Sequence, residues 1–429
     1  MFFIYLYIFC TILAHPFAKY YVEKRIALHK ESEIRYRERF AEPSIARPEG
    51  ILIWFNAASI GELNVIIPVI RHFHKEHPQK IHFLITTTTV SSNTIFDNAH
   101  LPNAIHQYFP LDTPHFTKKF IEYWKPDLAI FTESEIWPNM VLNIHDYNCP
   151  LVLLNGRLSD RSFKKWKLVK GSMQILLKQF HAIFPGSTID KERFEYFQPG
   201  NIGEVMNLKN AAPPISADDK ILACFKKKVK NRKVVVYAST HRGEEEEIIQ
   251  AHVELRLKYP ELLTIIVPRH VNRADEIKGI AKKHNINCII HSKYKEDKAL
   301  DDIEIYIADT VGELGIFYRL GGIAFVGGSL IERGGHNILE PAKLGCAILS
   351  GPHTFNFTEI TQSFIDAKAI TIVNNHADIV MNIQKMFDSP KLLKELQYKS
   401  LQLSQKQDGI IQQTVSYLSS LLSTHDLGT

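Results

Sequence analysis

The sequence predicts an α/β protein of two doubly wound parallel-sheet domains, and three observations predict it. At 429 residues the chain exceeds the size at which one hydrophobic core stops growing, roughly 250 to 300 residues. Short apolar runs alternate with helical patterns in two successive series, as fully buried parallel strands and their crossover helices do. Between the series, the polar stretch from Pro199 to Asp219 carries Pro199, Gly200, Gly203, Pro213 and Pro214 and reads as a linker region, with a boundary near residue 205.

Composition narrows the class further. Apolar residues make up 45% and charged residues 23%, ordinary globular usage that excludes extensive disorder. The 51 basic and 46 acidic residues leave a formal charge of +5, too even a balance to indicate nucleic-acid binding yet compatible with an anionic membrane surface. Cys10, Cys149, Cys224, Cys288 and Cys346 are scattered without a Cys-x-x-Cys pair, the pattern of reduced thiols in a cytoplasmic protein.

The N-terminal run Met1 to Ala14 (MFFIYLYIFCTILA) is uncharged and almost wholly apolar. It is short for a span, which needs about 20 residues, and no basic residue precedes it as in a signal peptide. A retained anchor over 1–18 is expected; the alternative is an ordinary buried first helix. Lys19, Lys24, Arg25, Lys30, Arg35, Arg37 and Arg39 follow, and the positive-inside rule places them on the cytoplasmic side, although Glu23, Glu31, Glu33 and Glu38 dilute the charge.

The first domain, 19–205, shows strand runs at 51–57, 81–86, 127–131 and 151–154. The second, 206–389, shows them at 234–238, 262–267, 288–290, 305–307, 323–326 and 347–349. Helices are expected over 390–429 and could pack back on the first domain. Ligands of open α/β sheets bind at the carboxyl ends of strands, so the informative residues should follow strands. They do. Glu62, in WFNAASIGEL, opens a helix, where it either caps the first turn or serves as a general base favoured in its ionised form by the helix dipole. Thr86 to Ser92 (TTTTVSS) supplies hydroxyls suited to phosphate or sugar oxygens. Glu133 and Glu135 in ESEIWPN can bind sugar hydroxyls or simply cap a helix, while Arg157 in NGRLS can meet an anion.

In the second domain, Ser239 and Thr240 in ASTHRGEEEE can hold an anion at a helix start, and Pro268, Arg269 and His270 form a credible nucleotide-binding strand end. The run FVGGSLIERGGHNILEP is the most specific. Gly327, Gly328, Gly334 and Gly335 would let backbone amides approach a phosphate, Asn337 and Glu340 would start the next helix, and Glu340 can accept hydrogen bonds from a ribose diol. Gly312, Glu313 and Leu314, with Gly351, Pro352 and His353, flank it as further strand-end loops. Together these loops argue for a nucleotide donor.

The ordered series SIGEL, TTT, ESEIWPN, NGRLSDRS, ASTHRGEEE, PRH, DTVGEL, VGGSLIERGGHNILEP and GPHTFNF resembles the 3-deoxy-D-manno-octulosonic acid (Kdo) transferase family over about residues 40 to 360. The resemblance implies a GT-B fold, in which two Rossmann-like doubly wound domains face each other across a cleft. It implies inverting transfer from CMP-Kdo to a tetraacyl lipid A precursor at the inner membrane, without a metal or other cofactor. Carried onto matching positions, it makes Glu62 the base, and Glu133, Glu135, Arg157, Ser239 and Thr240 acceptor or donor-sugar contacts. Pro268, Arg269, His270, Gly312, Glu313, Leu314, Asn337 and Glu340 become the CMP-binding set. The sequence departs from the family at Asn56, where a His-Ala or similar pair is expected at 56 and 57, and at Ile60 in place of Val; Asn56 would bear on acceptor contacts.

No Asp-x-Asp triplet of the kind that holds a metal-bound donor phosphate occurs, and of His72, His74 and His77 only the last two share a helix face. Two rivals are a GT-B nucleotide-sugar epimerase, which has no need of the apolar N-terminus, and a membrane-associated nucleotide-binding protein or dehydrogenase, for which no Gly-x-Gly-x-x-Gly run follows a strand.

Overall fold

The computed structural model describes residues 2–78, 81–211, 214–230, 232–294, 300–406 and 409–422; Met1, Pro213 and the last seven residues of the chain lie outside them. The chain divides into two compact units, Met1–Ala212 with Asp408–Thr429, and Pro213–Gln407.

The first unit begins with α1 (Phe2–Ala14) and α2 (Ala18–Ala27). There follow β1 (Ile51–Asn56), α3 (Ile60–Glu76), β2 (Ile81–Thr87), α4 (Val90–Ala99), β3 (Ala104–Tyr108) and α5 (Pro114–Trp124). The second half of the unit runs β4 (Leu128–Thr132), α6 (Pro138–Asp146), β5 (Leu151–Gly156), α7 (Asp160–Leu168), α8 (Lys170–Lys178), β6 (Ala182–Pro185) and α9 (Thr188–Glu195). Its strands are all parallel in the order β3-β2-β1-β4-β5-β6, so the strand sequence reverses between β1 and β4. Every residue of β1, β4 and β5 is buried, which is why they read as unbroken apolar runs. Leu52 and Trp54 pack towards α5, α6 and α8, whereas Ile53 and Phe55 pack towards α3.

The second unit holds α10 (Asp219–Lys228), β7 (Val234–Thr240), α11 (Glu244–Lys258), β8 (Leu263–Pro268), α12 (Ala274–Lys283), β9 (Cys288–Ile290) and β10 (Ile305–Ile307). It continues with α13 (Leu314–Gly321), β11 (Ile323–Val326), α14 (Leu339–Lys343), β12 (Ala347–Ser350), α15 (Thr358–Asp366), β13 (Ile370–Ile372), α16 (His376–Asp388) and α17 (Pro390–Lys406). The parallel order is β13-β12-β11-β7-β8-β10-β9, with the reversal between β7 and β11. A last helix, α18 (Gly409–Ser420), belongs to the first unit, where Val415 and Leu418 join the core beside α3.

Three strands were not expected from the sequence: β3, β6 and β13. Each is an outermost strand of its sheet. β3 and β13 are incompletely buried and β6 has four residues ending in Pro185, so none presents a long apolar run. The division falls at 212/213, where the sequence suggested about 205. Ile202 still pairs with Ile183, Met206 N donates to Pro185 O at 2.8 Å, and Leu208 lies in the first core. The second unit likewise runs past 389, because the Ser400 hydroxyl donates to Cys346 O at 2.6 Å and Gln397 Nε2 to Gly322 O at 2.9 Å, fixing α17 to it.

Helix α1 is docked on the first unit. Ile4 is buried in the core, Tyr7 OH donates to Asp112 Oδ2 at 2.9 Å, and Asn139 Nδ2 donates to Thr11 Oγ1 at 3.1 Å. Its other side leaves Phe2, Tyr5, Phe9, Ile12 and Leu13 exposed, with Phe17 and Tyr20 continuing the apolar surface.

Candidate active site

The reversal between β1 and β4 is the position at which doubly wound sheets bind ligands, and two of the predicted carboxylates flank it. Ser59 caps α3 and accepts from Glu62 N, and the Ser59 hydroxyl donates to Glu62 Oε1 at 3.0 Å. Ala58 N and Thr132 Oγ1 donate to Oε2 at 2.9 and 3.0 Å. Glu62 is therefore a cap, yet it is also only 7% exposed, and burial raises its pKa above the ordinary value despite these three donors, with Glu133 adding to the rise. Helix-dipole reasoning from the sequence pointed towards easy ionisation; desolvation outweighs it.

Glu135, after β4, is pushed up to about 7, first by burial and then by the charges of Glu62 and Glu133, against the donors Trp137 Nε1 at 2.6 Å and Asn56 Nδ2 at 3.4 Å. Asn56 is fully buried, and its Oδ1 accepts from Thr86 Oγ1 at 2.9 Å. The family departure at Asn56 therefore lies in contact with the Glu135 carboxylate.

Glu133 has φ 51° and its Oε1 meets Lys209 Nζ at 2.6 Å. Lys209 was missed in the sequence because a single lysine in a loop stretch carries no signal; the fold alone brings it to β4. Arg157 is exposed, and its amide donates to Glu133 O at 3.0 Å. The threonine run is committed to internal bonds: Thr86 to Asn56, Thr87 with His106, Thr88 to Ala58 O, and Thr89 with Ser92.

In the second unit the reversal lies between β7 and β11. Here the structure corrects the reading of the glycine run. The Glu244 carboxylate, fully buried at the start of α11, accepts from Gly328 N at 2.7 Å, Ser329 N at 3.0 Å, Leu330 N at 3.0 Å and His241 N at 3.0 Å. Of the glycine amides expected to face a phosphate, Gly328 N is held by this carboxylate, while Gly327 N donates to Ala238 O and Gly335 N to Gly328 O. The other glutamates of the acidic run differ in use: Glu245 pairs with Arg273 at 2.6 Å, Glu246 closes the N-terminal cap of α11, and Glu247 meets His376 at 3.0 Å. Gly327 is required by packing, since a Cβ there would sit 2.6 Å from Ser239 O.

Ser239 has φ 57° and is partly exposed, while Thr240 is fully buried and its carbonyl accepts from Arg269 N at 3.0 Å. Thr240 thus positions Arg269. Pro268 is buried, and Arg269 and His270 are exposed beyond it. Asn337 Oδ1 accepts from Leu339 N at 3.0 Å; Glu340 is partly buried, which raises its pKa against the opposing effects of Asn337 and the Arg269 charge. Gly312 has φ 92°, Glu313 Oε2 accepts from Thr310 Oγ1 at 2.6 Å, and Leu314 opens α13. Glu313 also lines a cavity of about 420 Å³ with Phe225, His291 and Tyr306.

The two parallel-sheet α/β units have the GT-B fold, shared with a glycosyltransferase from Rickettsia africae at a TM-score of 0.58 and 12% identity over 88% of this chain and all of that one. Residues 34–212 match the family model described as 3-deoxy-D-manno-octulosonic-acid transferase (kdotransferase). Curated 3-deoxy-D-manno-octulosonic acid transferases are similar over nearly the whole chain. That of Rickettsia bellii is 32% identical over 95% of this chain and 96% of its own, and that of Haemophilus influenzae 31% identical over 90% and 91%. The chain belongs to the 3-deoxy-D-manno-octulosonic acid transferase family.

Proposed function

We propose that this protein transfers Kdo from CMP-Kdo to a tetraacyl lipid A precursor (lipid IVA) in lipopolysaccharide core biosynthesis, with inversion and with Glu62 as general base. The observation that carries the reading is the pair of carboxylates, Glu62 and Glu135, at the ends of neighbouring strands, both raised in pKa by burial. Three donors occupy the Glu62 carboxylate, which has about four acceptor positions, so one position on Oε1 is left for an acceptor hydroxyl. In the proposed step the acceptor oxygen bonds to the anomeric carbon of Kdo, its proton passes to Glu62, and the bond to the CMP phosphate breaks with its electron pair leaving on CMP. A phosphate leaving group of this kind needs no general acid.

In the first unit Glu135, Glu133 with Lys209 and the exposed Arg157 contact the reacting sugars, and in the second unit Ser239 and Thr240 contact the donor sugar. Pro268, Arg269, His270, Gly312, Glu313, Leu314, Asn337 and Glu340 hold CMP, with Glu340 accepting from the ribose. Acceptor delivery is assigned to the inner membrane, on its cytoplasmic face. Phe2–Ala27 is long and apolar enough to cross a bilayer. Its bonds to Asp112 and Asn139, and its one-sided exposure, favour insertion along the surface instead. Incubating the purified protein with CMP-Kdo and the tetraacyl precursor and weighing the product tests the reading; a lipid whose mass does not increase by Kdo units refutes it.

A further inference from the structure

We propose that His241, His336 and Arg333 form an oxyanion site for an acidic group of the donor, its phosphate or its sugar carboxylate, and that filling this site adds a proton to the two imidazoles. The inference rests on the assignment of the second unit to the donor.

His241 follows β7 and His336 lies on the loop after β11, so the two residues come from opposite sides of the strand reversal. Their Nε2 atoms are 2.9 Å apart and their rings are parallel to within 1°. Two imidazole nitrogens at this distance share one proton, one donating and one accepting. A second proton would set two N–H groups against each other, so both rings become cationic only when an outside oxygen accepts from them. Gly328 leaves room for the pair: a Cβ at this residue would lie 3.1 Å from His336 Cδ2 and 3.4 Å from His241 Cδ2.

The surroundings are cationic. His270 stands edge-on to His241 with ring centroids 5.8 Å apart, and Arg269 and Arg333 act on His241 as positive neighbours. The nearby acids are engaged: Glu244 by four backbone amides, and Glu276, across the cavity, by Arg242 at 2.9 Å and Arg273 at 3.3 Å. The Arg269 charge also acts on the partly buried Glu340 carboxyl. The cavity lined by His241, His270 and Arg333 measures about 460 Å³, room for an oxyanion. Among the described residues no set of three or more His, Cys, Asp or Glu side chains is placed to hold a metal, and the guanidiniums would repel one.

Burial, then His336, His270, Arg333 and Arg269, lowers the His241 pKa to about 4, so the resting pair is neutral near pH 7. A bound oxyanion reverses the balance by accepting from the protonated rings. Because the bound-state pKa exceeds the free one, binding takes up a proton, and affinity weakens as pH rises through the bound-state value. The same proton would offset charge as it develops on the departing phosphate.

The test is calorimetry on the full chain near pH 7 in two buffers of different ionisation enthalpy, with CMP, cytidine and free Kdo as probes. His241→Asn, His336→Asn and Arg333→Gln should each weaken CMP binding by about tenfold to a hundredfold while leaving cytidine binding unchanged. The two histidine variants should also lose proton uptake that wild type and Arg333→Gln retain; the phosphate's own titration is common to all four proteins. A loss seen with Kdo and not with CMP assigns the site to the sugar carboxylate. The inference is overturned if the histidine variants bind both anions as wild type does, if proton uptake is unchanged, or if cytidine weakens as much as CMP. Wild type that binds neither CMP nor cytidine sinks the donor assignment itself, an outcome distinct from variants that bind like wild type.

Discussion

Thr132 Oγ1 lies 3.0 Å from Glu62 Oε2 and 2.9 Å from the Asn56 carbonyl oxygen, so one hydroxyl faces two acceptors at the strand reversal of the first unit. It has one proton to give. With Glu62 ionised, the hydroxyl donates to the carboxylate. With Glu62 protonated, the acid can donate to the hydroxyl, which then turns to the carbonyl. Both states of a proton-accepting group thereby find a partner without movement of the backbone.

Glu62→Gln should reduce transfer by about 10²- to 10⁴-fold with CMP affinity unchanged, because the amide keeps the cap's shape and cannot take a proton. A purely capping role predicts a stability loss of about 1 kcal/mol or less with turnover intact. Melting temperature and transfer rate on one preparation separate these outcomes.

Thr132→Val and Glu133→Gln should move the acid limb of the pH-rate profile in opposite directions. Valine removes a donor to the ionised form and raises the Glu62 pKa, so the limb moves to higher pH. Glutamine at 133 removes the neighbouring negative charge that raises the Glu62 pKa, so the limb moves to lower pH. Stability gives a second readout. The folded pKa of Glu135 is raised to about 7, so its proton-linked stabilisation is complete below the unfolded carboxylate value and is lost as pH rises through about 7. Relative to wild type, Glu135→Gln should therefore become more stable as pH increases across that window.

Glu244→Ala should cost on the order of 3 kcal/mol, since it strands several backbone amides that the carboxylate now satisfies. Glu246→Ala, two residues later and exposed, should cost roughly 1 kcal/mol as a lost cap. Denaturant titration of both variants checks the ordering.

Glu340→Ala should weaken CMP binding by about 1 to 3 kcal/mol, the usual loss for a hydrogen bond to a charged group. Calorimetry with CMP decides it, and unchanged affinity would return Glu340 to a structural part in the first turn of α14.

Phe9→Asp with Ile12→Asp, on the exposed side of α1, should reduce sedimentation with anionic vesicles while CMP binding persists. Tyr7→Phe should leave vesicle binding intact and lower stability by about 1 kcal/mol through the lost bond to Asp112.

Much of the fold was legible from local patterns. The central strands β1, β4, β5, β7 and β8 are buried along nearly their whole length and so are apolar at consecutive positions. The outermost strands β3, β6 and β13 escaped notice because an edge strand is short or half-wet and lacks that signature. Of the candidate site residues, Glu62 and Glu135 in the first unit and Arg269 in the second were legible as charged groups at strand ends. Lys209 was not, because its relevance depends on a 2.6 Å contact with a residue far away in the chain.

By itself, then, the sequence determined two parallel sheets, their order along the chain and the strand-end loops that carry polar groups, since apolar periodicity and glycine placement are local properties. Only the tertiary structure decided which groups meet. Thr132 reaches Glu62 across 70 residues, and Glu244 fills the glycine loop across 84 to 86. The free-looking amides of that loop and the easily ionised carboxylate of α3 both changed character once their partners and their burial were fixed. Strand order sets those partners, and desolvation sets the protonation, and neither is written in any short stretch of residues.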